Sequence, residues 1–243
     1  MEYKALYRRF RPQIFSDVIG QDPITRTLKN QIRASNISHA YLFCGTRGTG
    51  KTSTARIFAR AINCLNPQDF DPCNKCEICQ GILSESNIDI VEIDGASNRG
   101  VENIRELRET VKYPPSRGRY KVYIIDEVHM LTMEAFNALL KTLEEPPKHI
   151  VFILATTDPQ KLPATILSRC QRFDFKAITT RDIEKRLGEI CGKMGIEAEG
   201  EALKIIAVNA EGALRDALSV LEQTISFSDG KLTTLINDRR CRT

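Results

Sequence analysis

The sequence predicts an α/β protein: a five-stranded parallel sheet covered by helices, followed by a second, smaller, all-helical domain. Three observations predict it. Five short apolar runs have the length and the β-branched or aromatic content of strands buried on both faces. Helical patterns separate most of these runs, and strand and helix in alternation demand parallel pairing through crossovers. After Lys176 the strand patterns stop and only helical spacing remains.

In chain order the first run is Ala40–Cys44, followed by a glycine-rich stretch and a helical pattern over Thr52–Ala61. The second is Ile88–Ile93, with a helix predicted over Val101–Val111. Lys121–Ile125 is the third, with Met133–Leu143 helical behind it; Ile150–Ala155 is the fourth, and a weaker Arg172–Phe175 the fifth. Beyond them Ile183, Leu187 and Ile190 share one helical face, as do Leu203, Ile206 and Ala210, and then Leu214, Leu218, Leu221 and Ile225. Gly195 and Gly212 fall between these stretches, where helices end or turn. Residues 1–177 are therefore expected to form the sheet domain, with an insertion at about 63–81, and residues 178–230 a three-helix domain. Residues 231–243, polar and arginine-rich toward the end, are expected to be a disordered tail.

With 243 residues, 42% apolar and 27% charged, the composition is that of an ordinary folded protein. A formal net charge of +4, dispersed along the chain, permits contact with nucleic acid without arguing for it. No apolar run approaches the ~20 residues that span a bilayer. Residues 1–12 carry Lys4, Arg8, Arg9 and Arg11 with no apolar stretch behind them, so no secretory signal is expected and a cytoplasmic setting follows.

Gly45-Thr46-Arg47-Gly48-Thr49-Gly50-Lys51-Thr52 fits the phosphate-loop pattern G-x-x-x-x-G-K-S/T between a predicted strand and a predicted helix. Glycines let the backbone wrap phosphate oxygens with its N–H groups turned inward, and the helix N-terminus adds partial positive charge. Lys51 is expected to reach the β- and γ-phosphates of ATP, and the Thr52 hydroxyl to ligate Mg²⁺. Val122–Ile125 leads into Asp126 and Glu127, on a strand expected to neighbour the one that enters the loop. Asp126 would hold the Mg²⁺ and Glu127 would polarise the attacking water as general base.

Four of eight cysteines, Cys64, Cys73, Cys76 and Cys79, follow the spacing C-x8-C-x2-C-x2-C. Four thiolates suit tetrahedral Zn²⁺ in a closed, structural site. An iron–sulfur cluster and free thiols are the alternatives; ferredoxin-type ligation places its fourth cysteine downstream, and here it lies upstream.

Longer strings carry a family likeness. Tyr7 to Pro12, Phe15 to Gln21, His39 to Phe43, Asp126 to Leu131, Asn137 to Pro147 and Ser168-Arg169-Cys170 together resemble the tau/gamma subunits of the bacterial DNA polymerase III clamp loader, which are AAA+ ATPases. The likeness covers roughly residues 3–230. It implies that Val18 and Ile19 pack near the adenine and that Thr157 is the polar first-sensor residue, with Thr156 the lesser choice. It further implies that Arg215 reaches the γ-phosphate from the lid and that Arg169 is a finger directed at a neighbouring subunit's ATP. The family carries zinc at the four cysteine positions. Its partners would be other clamp-loader subunits, the sliding clamp and primer–template DNA, the last through Arg99, Arg105 and Lys141.

In the family a third helical domain closes the ring; residues 235–243 do not resemble its start, so this chain alone is expected to be monomeric. The leading functional reading is ATP-driven loading of the sliding clamp. A non-hydrolysing scaffold and a different AAA+ machine, such as a branch-migration motor, are the competitors. The intact Lys51, Thr52, Asp126 and Glu127 argue against the first. The cysteine insertion and Ser168-Arg169-Cys170 argue against the second.

Overall fold

A computed structural model describes residues 5–84, 86–98, 101–227 and 231–232. The described elements, in order, are α1 (Leu6–Arg9), α2 (Asp22–Arg33), β1 (Ala40–Cys44), α3 (Lys51–Asn63), α4 (Glu77–Leu83), β2 (Ile90–Asp94), α5 (Val101–Val111), β3 (Lys121–Asp126), α6 (Met133–Glu144), β4 (Ile150–Thr156), α7 (Ala164–Leu167) and β5 (Gln171–Asp174). They continue with α8 (Thr180–Met194), β6 (Glu197–Ala198), α9 (Gly200–Asn209), α10 (Leu214–Ser226) and β7 (Lys231–Leu232). None of the described helices is long and apolar enough to cross a membrane.

The chain divides into two compact units, one of Pro12–Gly45 and Lys51–Phe175, the other of Met1–Arg11, Thr46–Gly50 and Lys176–Thr243. In the first, β1 to β5 form one parallel sheet in the order β2-β3-β4-β1-β5. This order corrects one expectation: the strand bearing Asp126 does not neighbour the strand entering the phosphate loop, because β4 lies between them. With neighbouring strands ~4.8 Å apart, β1 and β3 are about 10 Å apart, a gap that the loop and α3 must bridge.

The inner strands β3, β4 and β1 are buried on both faces, whereas the edge strands β2 and β5, also expected to be buried, are only partly covered. One apolar layer gathers Leu42, Tyr123, Phe152 and Leu154 beneath α5 and α6, with Leu107, Phe136 and Leu139 closing it. The other gathers Tyr41, Phe43, Val122 and Ile153 with Ile57 and Phe58 of α3 and Leu28 of α2. Every residue of β4 is buried, as expected for a central strand. The second strand starts two residues later than its apolar run, because Ile88 and Asp89 lie in the turn before it. Buried Asp89 is fully used there: its carboxylate accepts the N–H groups of Ser116 (2.6 Å), Arg117 (2.8 Å) and Gly118 (3.0 Å). Burial alone would raise its pKa, but those three donors hold it below the ordinary carboxylate value.

The second unit is built on α8, α9 and α10, with Ile183, Leu187, Ala202, Ile206 and Leu221 buried. Gly195 ends α8 in the left-handed region at φ +69°, where a side chain would be strained. Two expectations are corrected here. Residues 5–11 group with this unit rather than with the sheet: the Leu6 N–H donates to the Glu222 carboxylate of α10 at 3.1 Å. Lys231 and Leu232, expected in a disordered tail, pair in parallel with Glu197 and Ala198. Residues 233–243 lie outside the described residues.

Candidate nucleotide site and cysteine cluster

The carboxyl ends of β1, β3 and β4 carry the chemistry. Fully buried β1 delivers the chain to Gly45, which sits at φ +150° against the backbone of Phe175. A Cβ there would lie 2.5 Å from the Phe175 carbonyl oxygen, so only glycine lets the chain pass. Four residues after Gly45, the buried Thr49 hydroxyl donates to the Thr46 carbonyl at 2.8 Å and closes the loop on itself.

α3 then opens with Lys51, whose side chain is buried and folds back so that Nζ donates to the Gly45 carbonyl at 2.7 Å. Burial pushes the Lys51 pKa down, against the opposing pull of the Glu127 and Asp126 carboxylates. The Thr52 hydroxyl donates to Asp126 Oδ2 at 2.7 Å, so α3 does bridge the gap from β1 to β3. The other Asp126 oxygen accepts the Glu127 N–H at 3.0 Å.

Glu127 adopts the left-handed conformation, φ +46° and ψ +45°, a geometry that disfavours a non-glycine residue by about 1–2 kcal/mol. This turn swings its carboxylate from β3 toward the end of β4. There Oε2 accepts the Thr157 hydroxyl at 2.9 Å and the Thr157 N–H at 3.3 Å, and lies 3.4 Å from His129 Nδ1. Thr156, fully buried, faces His129 Nδ1 at 3.0 Å instead. Of the two threonines weighed as first sensor, it is therefore Thr157 that touches Glu127. His129 was not singled out in the sequence; the only signal was its place two residues after the paired carboxylates.

Other expected site residues are dispersed. Val18 packs into the apolar layer with Phe15 and Phe58, while Ile19 is half-buried. Thr46 and Arg47 are exposed. The Arg169 guanidinium binds the Thr165 carbonyl (2.8 Å) and the Glu144 carboxylate (3.0 Å), not Lys51, Asp126 or Glu127. Arg215, at the start of α10 in the second unit, lies over the Tyr7 ring at 4.8 Å. Lys141 is exposed on α6. Arg99 and the Arg105 side chain lie outside the described residues.

A second constellation follows α3. The sulfur atoms of Cys64, Cys73, Cys76 and Cys79 all lie within 4.8 Å of one another. Backbone N–H groups point at the sulfurs: Cys73 at Cys64 Sγ (3.3 Å), Cys76 at Cys73 Sγ (3.3 Å) and Lys75 at Cys73 Sγ (3.5 Å). Burial would raise the Cys73 pKa, yet the Lys75 and Cys76 N–H groups bring it down to about 6; burial pushes the Cys64 and Cys79 thiols up instead. A tetrahedral ion with ~2.3 Å bonds to sulfur holds its ligands about 3.8 Å apart, so the cluster fits a single metal.

Residues 20–179 match the family described as DNA polymerase III, delta subunit, and residues 182–230 match the DNA polymerase III clamp loader subunit, ATPase lid domain. The DNA polymerase III subunit tau of Bacillus subtilis is 59% identical over 228 residues, which is 94% of this chain and 40% of that protein. Subunit tau of Escherichia coli is 51% identical over 234 residues, 96% of this chain and 36% of that protein. The chain thus spans well under half the length of either. Among solved structures, the Thermotoga maritima RuvB Holliday junction branch migration motor superposes with a TM-score of 0.69 over 95% of this chain and 71% of that one, at 19% identity. That likeness shows the fold alone. With its sheet unit and its lid both matched along most of their lengths, the chain belongs to the DNA polymerase III clamp-loader subunit family.

Proposed function

We propose that this chain binds and hydrolyses ATP as the motor of a replicative clamp loader, within DNA polymerase III in the cytoplasm. Hydrolysis would drive opening and loading of the sliding clamp onto primed DNA. The observation that carries this reading is the contact of Thr52 with Asp126, together with a Glu127 carboxylate that is held by Thr157 and acts on the same buried Lys51 as Asp126 does. A hydroxyl and a carboxylate oxygen 2.7 Å apart are a ready pair of hard oxygen ligands for Mg²⁺. Bound there, the ion would neutralise charge on the β- and γ-phosphates.

Lys51, in this reading, exchanges the Gly45 carbonyl for phosphate oxygens, supported by N–H groups of residues 45–52. Glu127 takes the proton of the attacking water, and Thr157 holds its carboxylate in position. Val18 and Ile19 border the adenine, Arg215 contacts the γ-phosphate from the lid, and Arg169 serves a neighbouring subunit's site. Lys141, Arg99 and Arg105 would follow the DNA backbone. Relatives named DNA polymerase III subunit tau, at 51–59% identity, favour a loader over a branch-migration motor matched at 19%.

Steady-state ATPase of the assembled complex tests the proposal. Turnover should rise several-fold with clamp and primed duplex together, and not with a four-way junction. Stimulation by the junction alone would overturn it.

The cysteine cluster, in the same reading, holds one structural zinc. A sulfur set confined within 4.8 Å favours a single ion over a larger iron–sulfur cluster. Elemental analysis should find one zinc per chain, and Cys76→Ser should lower that occupancy. Chelation should open residues 63–81 to protease while ATP affinity stays within about threefold, because no cysteine of the cluster lies in the phosphate loop. A metal-free preparation with that segment still protected would sink the structural-zinc reading.

A further inference from the structure

A cavity of about 420 Å³ lies in the first unit, at the end of the sheet opposite the phosphate loop. Ile37 precedes β1 and Tyr120 precedes β3, so strands of five or six residues separate it from Thr52 and Asp126 by roughly 17 Å. The floor is apolar, built from Ile32, Ile37, Ile62 and Ile78, with Phe70 and Tyr120 among its lining residues. The polar part of the lining is Ser35, Asn63, Cys64 and three arginines, Arg33, Arg117 and Arg119, with no carboxylate among them.

These arginines differ from many others in the molecule. Arg56, Arg169, Arg172 and Arg186 each pair with a carboxylate. Among the described residues, Arg33, Arg117 and Arg119 form no ion pair; Arg33 only lies over the Phe70 ring at 4.9 Å. All three are exposed at the surface.

Both walls are held in advance of any ligand. Asp89 fixes the backbone at residues 116–118, which carries Arg117, and Asn63 Oδ1 accepts the Tyr120 N–H at 2.8 Å. Across the cavity, Asp69 and Phe70 occupy successive left-handed conformations, φ +47° and φ +63°. That strained turn is pinned on both sides: Lys29 pairs with Asp69 (3.2 Å) and Asp71 (2.7 Å), and Asp71 accepts the Phe15 N–H at 2.7 Å. A rigid apolar pocket ringed by unpaired cations loses little freedom when it is filled.

We propose that this cavity docks an acidic segment of a partner polypeptide, with one apolar side chain in the pocket and flanking carboxylates on Arg33, Arg117 and Arg119. Charge complementarity selects an anionic partner, and guanidinium groups match carboxylates geometrically. Four isoleucines around the pocket favour an apolar side chain as the buried group, which a peptide supplies beside its carboxylates.

Fluorescence anisotropy on the intact chain tests this, using the labelled peptide Glu-Glu-Leu-Phe-Glu-Glu as probe. It should bind saturably and be displaced by salt. Replacing Leu-Phe by Ser-Ser in the probe should weaken binding at least about tenfold, the loss expected for one buried apolar side chain. The double variant Arg117→Ser/Arg119→Ser should weaken it at least about fivefold with ATP affinity unchanged, which shows that the variant is folded. Absence of saturable binding, equal binding of the serine probe, or equal binding by the double variant would each overturn the proposal. So would tighter binding of labelled oligodeoxythymidylate that the same two substitutions abolish, since that outcome assigns the cavity to nucleic acid.

Discussion

Replacing Glu127 by Gln is expected to leave ATP affinity within about threefold and to lower turnover by about 10²–10⁴-fold, the range for loss of a general base. The amide keeps the size of the carboxylate, and its carbonyl can still accept the Thr157 hydroxyl that now lies 2.9 Å from Oε2. What it loses is the capacity to take a proton. Lys51→Ala should act on the other quantity. Removing a buried cation from the phosphate loop deletes charge-assisted bonds worth about 1.5–3 kcal/mol, so affinity should fall about 10- to 100-fold. Calorimetry gives the affinities and single-turnover hydrolysis gives the chemical step. Equal loss of binding in both variants would contradict the separate roles.

The parts of this site that were legible in the sequence are those written in contiguous residues. The phosphate loop is one string of eight residues between a strand and a helix, because wrapping phosphate needs successive backbone N–H groups. The four cysteines lie within sixteen residues, so their spacing could indicate a shared ion before any coordinates. Helices predicted from apolar spacing near Val101–Val111 and Met133–Leu143 agree with α5 and α6 to within a residue.

Features set by distant residues were not legible. The insertion of β4 between β1 and β3 is decided by how crossover helices pack, which no local pattern records. The Thr157–Glu127 contact joins residues 30 apart through the ends of two strands, and it depends on a left-handed turn that glutamate rarely adopts. Residues 5–11 look in the sequence like the entry to the sheet unit; the Leu6–Glu222 hydrogen bond, 216 residues apart, places them with the helical unit instead. The pairing of Lys231–Leu232 with Glu197–Ala198 was missed for a related reason: two-residue strands carry no periodicity to read. Helix α2 also went unassigned, although Pro23 in its first turn and Ile24 and Leu28 one turn apart were a usable signal.

Arg169→Ala is expected to reduce hydrolysis by about 10³-fold or more in an assembled clamp loader, within the range that an arginine finger contributes. In this chain alone, at dilute concentration, the same substitution should change a slow basal rate less than about threefold. The difference follows from the contacts of the side chain. Its guanidinium is held by the Thr165 carbonyl, the Ser168 hydroxyl and the Glu144 carboxylate, and it makes no contact with Lys51, Asp126 or Glu127. A half-exposed ion pair to Glu144 contributes little to stability, so the substitution should leave the fold and ATP affinity intact. Loss of rate in the assembly with affinity preserved is then the signature of a charge supplied to another subunit's transition state. Glu144→Gln separates this from a structural role: it removes the pair but keeps the arginine, and should retain most of the assembled rate. Sedimentation fixes the oligomeric state in each measurement, and steady-state ATPase gives the rates. A monomeric chain that hydrolyses quickly, and whose rate collapses with Arg169→Ala, would show the arginine acting on its own nucleotide and would refute the assignment to a neighbour.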